Sequence, residues 1–339
     1  VIIYTRGRDD QWLRTREILA PKNSTAHKIG SGFGNTIALD RDSLMVGTFT
    51  VIKAENNDVV NPSDFQEDNG IFSTSTALYK ARLNKETKVE QVNLTNIPNK
   101  GVFPTGKIVS ENGKTGLIFS QKQPEKRINQ VYVLSNDKAY ALSNGKLEYK
   151  STSRAWIRSL YGNDIALKNN LLLVSVDRDK GSGGVWLFDL NSSKSKPQKI
   201  DIPLAAPAIV SVAISEEFIV ISNYATSSYH HLPNLLDTTL IKNIITGETR
   251  IIGGSGEVSL DGNIFARTRS VPNGRKYSNT KEMPRVLEVF RLDEDATPHL
   301  IQKRSNIESG LLQNRLLITI QKTASARRVC TEEMDQIIN

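Results

Sequence analysis

Cysteine is almost absent from this chain: Cys330 is the single one in 339 residues. No disulfide within the chain can therefore staple the fold, and the thiol is left free or available to another chain. Histidine is nearly as scarce, with only His27, His230, His231 and His299. The adjacent pair His230-His231 precedes Leu232-Pro233 and reads as a loop, and no H-x-x-x-H, H-E-x-x-H or CxxC spacing accompanies it, so no metal centre is expected. There is no G-x-S-x-G elbow and no phosphate-cradling G-x-x-x-x-G-K-[ST] loop. The glycines of Gly30-x-Gly32-x-Gly34 lead into a strand pattern rather than a helix, which removes a dinucleotide reading. Apolar runs stop after a few residues, far short of the roughly 20 that a membrane helix needs. Aromatic residues make up only 6%, so the core has to come mainly from Val, Ile and Leu. A chain this long buries roughly 75% of its unfolded surface, enough to fold without a stabilising cofactor, and none is expected.

The charge is one-sided in sum but not in distribution. The net charge is +8, yet 36 carboxylates are interspersed among 44 basic residues. Basic density peaks at Arg6 to Arg16, Lys122 to Arg127, Arg267 to Lys276 and Arg327-Arg328, none interleaved with stacking aromatics, so nucleic acid is not an expected partner. Solvated loops and strand edges account for these runs. A basic face would still attract acidic glycans or lipopolysaccharide phosphates. The first residue, Val1, fits a processed or truncated N-terminus. The sequons at Asn23, Asn93 and Asn191 matter only in a glycosylating host.

What the chain does have is an internal repeat. GSGFGNTIALDRDSLMVGT, Gly30 to Thr48, returns as LYGNDIALKNNLLLVSV from Leu160. One constant offset places Gly34 on Gly162, Asn35 on Asn163, Leu44 on Leu172 and Val46 on Val174. Each copy is a short strand, a polar turn and a second apolar strand. Weaker copies begin at Ile108, Val212, Val258 and Gly310. The recurrence of roughly 50 residues, with several strands per unit, is that of a β-propeller whose blades cannot bury their faces alone.

The second half of each unit agrees. Third strands resemble GGVWLFDL from Gly183: NQVYVLSN from Asn129, PRVLEVFRL from Pro284, NGIFSTSTALYKA from Asn69 and TTLIKNIITG from Thr238. Fourth strands follow as KLEYKS from Lys146, PQKIDI from Pro197, TRIIG from Thr249 and PHLIQK from Pro298. The termini look complementary, since Val1 to Tyr4 and Trp12 to Leu19 read as a third and a fourth strand, while Gly310 to Ile320 supplies a first and a second. Joined, they would make one shared blade and hide two sheet edges. The expectation is an all-β fold: a six-bladed β-propeller of four-stranded antiparallel blades, closed by pairing the N- and C-terminal strands. It becomes seven-bladed if Lys53 to Lys100 conceals a degenerate blade. The propeller spans 1–322 as a single domain, with 323–339 a C-terminal tail or extension.

The run from Trp12 to Thr48 resembles the FG-GAP repeat of integrin-alpha-like β-propellers, with Phe33-Gly34 in the place of the name-giving pair and Tyr161-Gly162 in the second copy. The likeness is good over about two repeats and faint over the other four. It implies a binding role in an exported or cell-surface assembly, and hence an extracellular, periplasmic or cell-surface location. Calcium-binding members carry a D-x-D-x-D-G-x-x-D loop between the first two strands. Here that connection is only Asp40-Arg41-Asp42 or Lys168-Asn169-Asn170, too short for a calcium site.

Two functions remain open from the sequence. The first is a non-enzymatic binding module for a protein partner or a surface glycan, adhesive in character, without cofactor or metal. Its contacts are expected from connections between second and third strands: Asp64, Glu67 and Asp68 in the long stretch Glu55 to Asn69, and Asp177, Arg178 and Asp179 in the second copy. Asp and Asn also fill such turns simply to hydrogen-bond the local backbone. The second is a polysaccharide hydrolase or lyase using carboxylates of a central channel, which requires two carboxylates roughly 5–10 Å apart.

Overall fold

The computed structural model describes residues 1–6, 12–22, 33, 36–53, 59–60, 72–83, 88–92, 102–123, 126–135, 138–141, 161–176, 184–191, 197–202, 208–224, 237–270, 285–313, 315–322 and 327–334. Among them every regular element is a strand. The six principal sheets are antiparallel, and they are the blades of a six-bladed β-propeller. The chain divides into two compact units, Val1–Gly162 and Asn163–Asn339.

The first unit opens with a hairpin of β1 (Ile2–Arg6) and β2 (Trp12–Glu17). Its first full sheet has the order β3 (Thr36–Asp40), β4 (Ser43–Lys53), β6 (Phe72–Arg82), β7 (Val89–Gln91), with β5 (Val59–Val60) pairing the far end of β4. β5 falls inside the Glu55–Asn69 stretch, so part of that connection extends the sheet. The next sheet runs β8 (Val102–Glu111), β9 (Lys114–Gln123), β10 (Lys126–Ser135), β11 (Lys138–Ala141). Its fourth strand thus begins at Lys138, earlier than the Lys146 expected, because a two-residue connection closes a tighter hairpin with β10.

The second unit continues with β12 (Tyr161–Lys168), β13 (Leu171–Val176), β14 (Gly184–Asp189) and β15 (Gln198–Ile200). Then come β16 (Ala208–Ile214), β17 (Phe218–Tyr224), β18 (Thr238–Asn243) and β19 (Thr249–Gly253). The following sheet holds β20 (Glu257–Asp261), β21 (Ile264–Ser270), β22 (Arg285–Leu292) and β23 (Pro298–Ser305). The last has β24 (Ile307–Gln313), β25 (Leu316–Lys322) and β26 (Arg327–Glu333). β26 belongs to the stretch read as a tail, and it fills the third place in the last sheet. The first strands, β1 and β2, pair with each other.

Core packing follows the strand periodicity. In each unit, neighbouring sheets press apolar faces together, as with Val185, Leu173, Val212, Ile221 and Leu240 between the sheets of β12–β15 and β16–β19. Second and third strands carry near-continuous apolar runs because both their faces are covered. Turn chemistry sets the hairpins between first and second strands. Asn169 and Asn170 have φ of 49° and 65°, and Asn112 and Gly113 have 51° and 75°. These pairs of left-handed residues form two-residue turns that match the twist of the strands.

The N-terminal hairpin is anchored through Ile18, which is 1% exposed and packs with Leu44, Val46, Tyr79 and Ala81. Val1 and Ile18 exchange backbone hydrogen bonds of 2.8 Å. Phe33 is half-buried and meets Tyr79 edge-on at 5.6 Å between centroids, so the aromatic of the first repeat does sit beside its blade. Gly34 and the side chain of Tyr161 lie outside the described residues. Ile18→Ala should cost about 2–5 kcal/mol in equilibrium unfolding, and deleting residues 1–20 should lower the melting temperature further. A loss well under 1 kcal/mol would show that the hairpin does not hold this core.

Candidate functional site

The ends of the sheets are unequal. In an antiparallel blade, the connections from second to third strand and from fourth strand to the next blade leave from the same end. At that end lie the connections 54–71, 92–101, 142–160, 225–237 and 271–284. The opposite end carries tight turns such as Arg41-Asp42, Asn112-Gly113 and Gly262-Asn263. Glu55–Asn69 and Asp177–Gly183 both belong to the long-connection end of their sheets. Asp64, Glu67, Asp68, Asp177, Arg178 and Asp179 lie outside the described residues, as do His230 and His231. Cys330 lies in β26, half-buried and free.

Beneath that end, the second unit holds a layer of buried polar groups. Asp164, the fourth residue of β12, accepts from the backbone N–H of Ile165 at 2.9 Å, from Ser211 Oγ at 3.0 Å and from Val212 N–H at 2.8 Å. Ser211 Oγ in turn accepts from Val258 N–H at 3.2 Å, one blade further on. Ser259 Oγ accepts from Leu312 N–H at 2.9 Å. Apart from the bond between Ile165 and Asp164, each ties the first strand of one blade to the first strand of the next. Ser222 Oγ, fully buried, accepts from Gly256 N–H at 2.7 Å. Gly256 has no room for a side chain, since a Cβ there would stand 2.2 Å from the Thr268 carbonyl oxygen.

A charged cluster sits at the same level. Glu288 of β22 lies between Arg267 and Arg269, which alternate along β21 and so share a face. Arg267 Nε and Nη2 donate to Glu288 Oε2 at 3.1 and 2.6 Å, and Arg269 donates to both oxygens at 2.9 and 2.8 Å. Arg267 Nη1 also donates to Thr239 Oγ1 and to the carbonyls of Gly253 and Gly254, reaching the preceding blade. The guanidinium stacks 5.4 Å from the centre of the Phe290 ring. Burial raises the Glu288 pKa, but the hydrogen bonds from Arg269 and Arg267 and their charges outweigh it and hold the carboxyl at about 2. Such a carboxylate keeps its charge at neutral pH and has no proton to give, so it suits positioning rather than general acid catalysis.

Sequence reasoning missed this layer. The signal for it was an Arg-Thr-Arg alternation inside a strand that otherwise resembles its apolar repeats, and a polar residue directly before the repeated apolar triplet, Asp164 in one copy and Ser211 in another. Among the described residues no group of three or more His, Cys, Asp or Glu is placed to hold a metal ion. No described helix is long and apolar enough to cross a membrane.

No family model matches the chain, and no curated protein matches it in sequence. Solved structures do resemble it in fold. An acylaminoacyl peptidase from Pyrococcus horikoshii aligns with 10% identity and a TM-score of 0.50 over 89% of this chain, which spans 44% of that protein. The β-propeller domain of the Trilobed protease from Pyrococcus furiosus, described as having an open velcro topology, aligns with 10% identity and a TM-score of 0.48 over 89% of this chain and 83% of that one. The periplasmic gluconolactonase of Pseudomonas aeruginosa aligns with 9% identity and a TM-score of 0.42, covering 88% and 85%. At such identities the likeness bears on fold alone and on no activity.

The charged cluster makes stability depend on pH. A carboxyl with a folded-state pKa below its unfolded value stabilises the fold above about pH 4.3 and loses that contribution as pH falls toward about 2. Stability should decline across that window, and the decline should flatten in Glu288→Gln. At neutral pH the same variant should lose about 3–5 kcal/mol, because the buried Arg267 and the half-buried Arg269 lose the carboxylate they share. Equal acid sensitivity in both proteins would assign the effect to other carboxylates. Gly256→Ala should cost about 1–3 kcal/mol by overpacking against the Thr268 carbonyl, and a neutral result in chemical denaturation would remove that constraint.

Proposed function

We propose that the chain is a non-enzymatic binding propeller that takes a protein partner or an acidic surface glycan through the long connections at one end of its sheets, foremost Glu55–Asn69 and Asp177–Gly183. The observation that carries this reading is the asymmetry of the blades: the long connections leave one end of the sheets, and in the second unit the strands that carry them are held in register by Asp164, Ser211, Ser222, Arg267 and Glu288. Rigid strand ends beneath variable connections are the usual basis of recognition surfaces. The resemblance of Trp12 to Thr48 to FG-GAP repeats supports adhesion and an exported setting.

The buried carboxylates point the same way. Asp164 is taken up by backbone and serine donors, and Glu288, held ionised by Arg269 and Arg267, has no proton to give a substrate. Replacing Glu55–Asn69 by a short Gly-Ser connection should leave the melting temperature within a few degrees while abolishing capture of the ligand found on a glycan array or in a pull-down with the intact chain. Undiminished capture would remove that connection from the surface. Turnover of a polysaccharide by the intact chain, lost on replacing a single carboxylate, would replace binding with hydrolysis or lyase chemistry.

A further inference from the structure

Asn112 and Gly113 form the turn between β8 and β9, and the paired residues Glu111 and Lys114 close the ladder on either side of them. An Asn followed by Gly is a chemically labile pair. With no Cβ to shield it, the glycine nitrogen can attack the Asn side-chain carbonyl carbon, Cγ. The N–Cγ bond forms, the glycine N–H proton goes to solvent, and the side-chain nitrogen leaves as ammonia. Water then opens the succinimide ring at either carbonyl, leaving isoaspartate or aspartate in place of asparagine. No electrons are exchanged with an outside reagent. Both residues are exposed here, so water reaches them. Of the Asn-Gly pairs in the sequence, this is the one that falls among the described residues.

The atoms that would react are both held by the turn of the preceding blade. Gly113 N–H donates to Asp40 Oδ2 at 2.7 Å, and Arg41 Nη2 donates to Asn112 Oδ1 at 2.7 Å. Asp40 is the last residue of β3 and Arg41 the first of the turn into β4, so both contacts cross from the first full sheet to the second. Arg41 has a φ of 54°, the left-handed conformation that Asn169 takes at the same place in the second copy of the repeat. Arginine adopts that conformation less readily than asparagine. Here the side chain it carries reaches the neighbouring turn.

These contacts oppose the reaction. Attack requires the glycine nitrogen to give up its proton, and a carboxylate against that N–H disfavours the negative charge the nitrogen would acquire. Asp40 also fixes the peptide plane while Arg41 fixes the side-chain carbonyl, so neither rotates freely into the alignment that bond formation needs. We propose that Asn112 is a latent isoaspartate site that the Asp40-Arg41 turn keeps closed, and that parting of the first two blades at their tight turns opens it. The bond then records that parting covalently, because isoaspartate lengthens the backbone by a carbon and does not revert to asparagine.

Incubating the intact chain at neutral pH beside a synthetic peptide with the sequence from Ser110 to Leu117 tests this, with conversion at Asn112 read by peptide mass spectrometry and by isoaspartyl methyltransferase labelling. Asn112 should convert about tenfold or more slowly in the chain than in the peptide. Asp40→Ala and Arg41→Ala should each raise the rate several-fold while the circular dichroism spectrum and melting temperature stay near those of the parent. Conversion at Asn69, Asn144 and Asn273, each also followed by glycine and each read on its own peptide, should not change in these variants, which separates a local opening from general unfolding. Conversion in the intact chain as fast as in the peptide overturns the proposal. So does an unchanged rate in both variants, which would assign the protection to the β8–β9 turn alone, or a rise shared by all four pairs. A slower rate in Asp40→Ala overturns it as well, since it would make that carboxylate a general base for the attack.

Discussion

A hydrogen bond from a backbone N–H to a short polar side chain of the preceding blade recurs across the second unit, and the order of its blades depends on it. Val212 donates to Asp164, Val258 to Ser211 and Leu312 to Ser259. These N–H groups are buried, where an unpaired N–H costs about 1–3 kcal/mol. Apolar packing alone is non-directional and would let one sheet slide along another. A bond to a particular N–H fixes the slide, so these few polar groups set the register between sheets that the apolar residues hold together.

The Arg267–Glu288–Arg269 cluster does similar work in a costlier way. Charges taken out of water gain little net stability even when well paired, yet removing one partner is severe. Arg267 bonds both Glu288 in its own blade and the carbonyls of Gly253 and Gly254 at the junction before it. Gly254, with a φ of 90°, turns the chain sharply beside these guanidinium groups. The cluster therefore joins the connection between two blades to the second and third strands of the next one. Connections mounted above it start from fixed points, which lowers the conformational entropy that a ligand would have to overcome.

Much of the fold was legible because strand repeats announce themselves locally. The triplets Ile37-Ala38-Leu39 and Ile165-Ala166-Leu167, the apolar second strands and runs such as Gly184–Asp189 are set by alternation and by turn residues, and each became the strand it resembled. β11 and β26 were harder to see. Lys138–Ala141 is short, and Arg327–Glu333 is mostly polar, so neither shows the apolar alternation that marks a strand with a covered face. Their hydrogen-bonding partners, β10 and β25, made them strands. The proposed contact residues Asp64, Glu67, Asp68, Asp177, Arg178 and Asp179 remain as the sequence left them, charged groups in connections between second and third strands.

The sequence by itself determined the strand repeat, its period, the tight Asn and Gly turns and the scarcity of thiol and imidazole chemistry, because each depends only on neighbours along the chain. Tertiary structure decided which polar residues are structural. Arg267 and Arg269 looked like part of a solvated basic run, and nothing in the sequence singled out Asp164. Burial against an adjacent blade converted the first two into counter-ions of Glu288 and the third into an anchor for Val212. The physical reason is that the energy of a charge is set by the solvent and partners around it, and residues distant in sequence supply both.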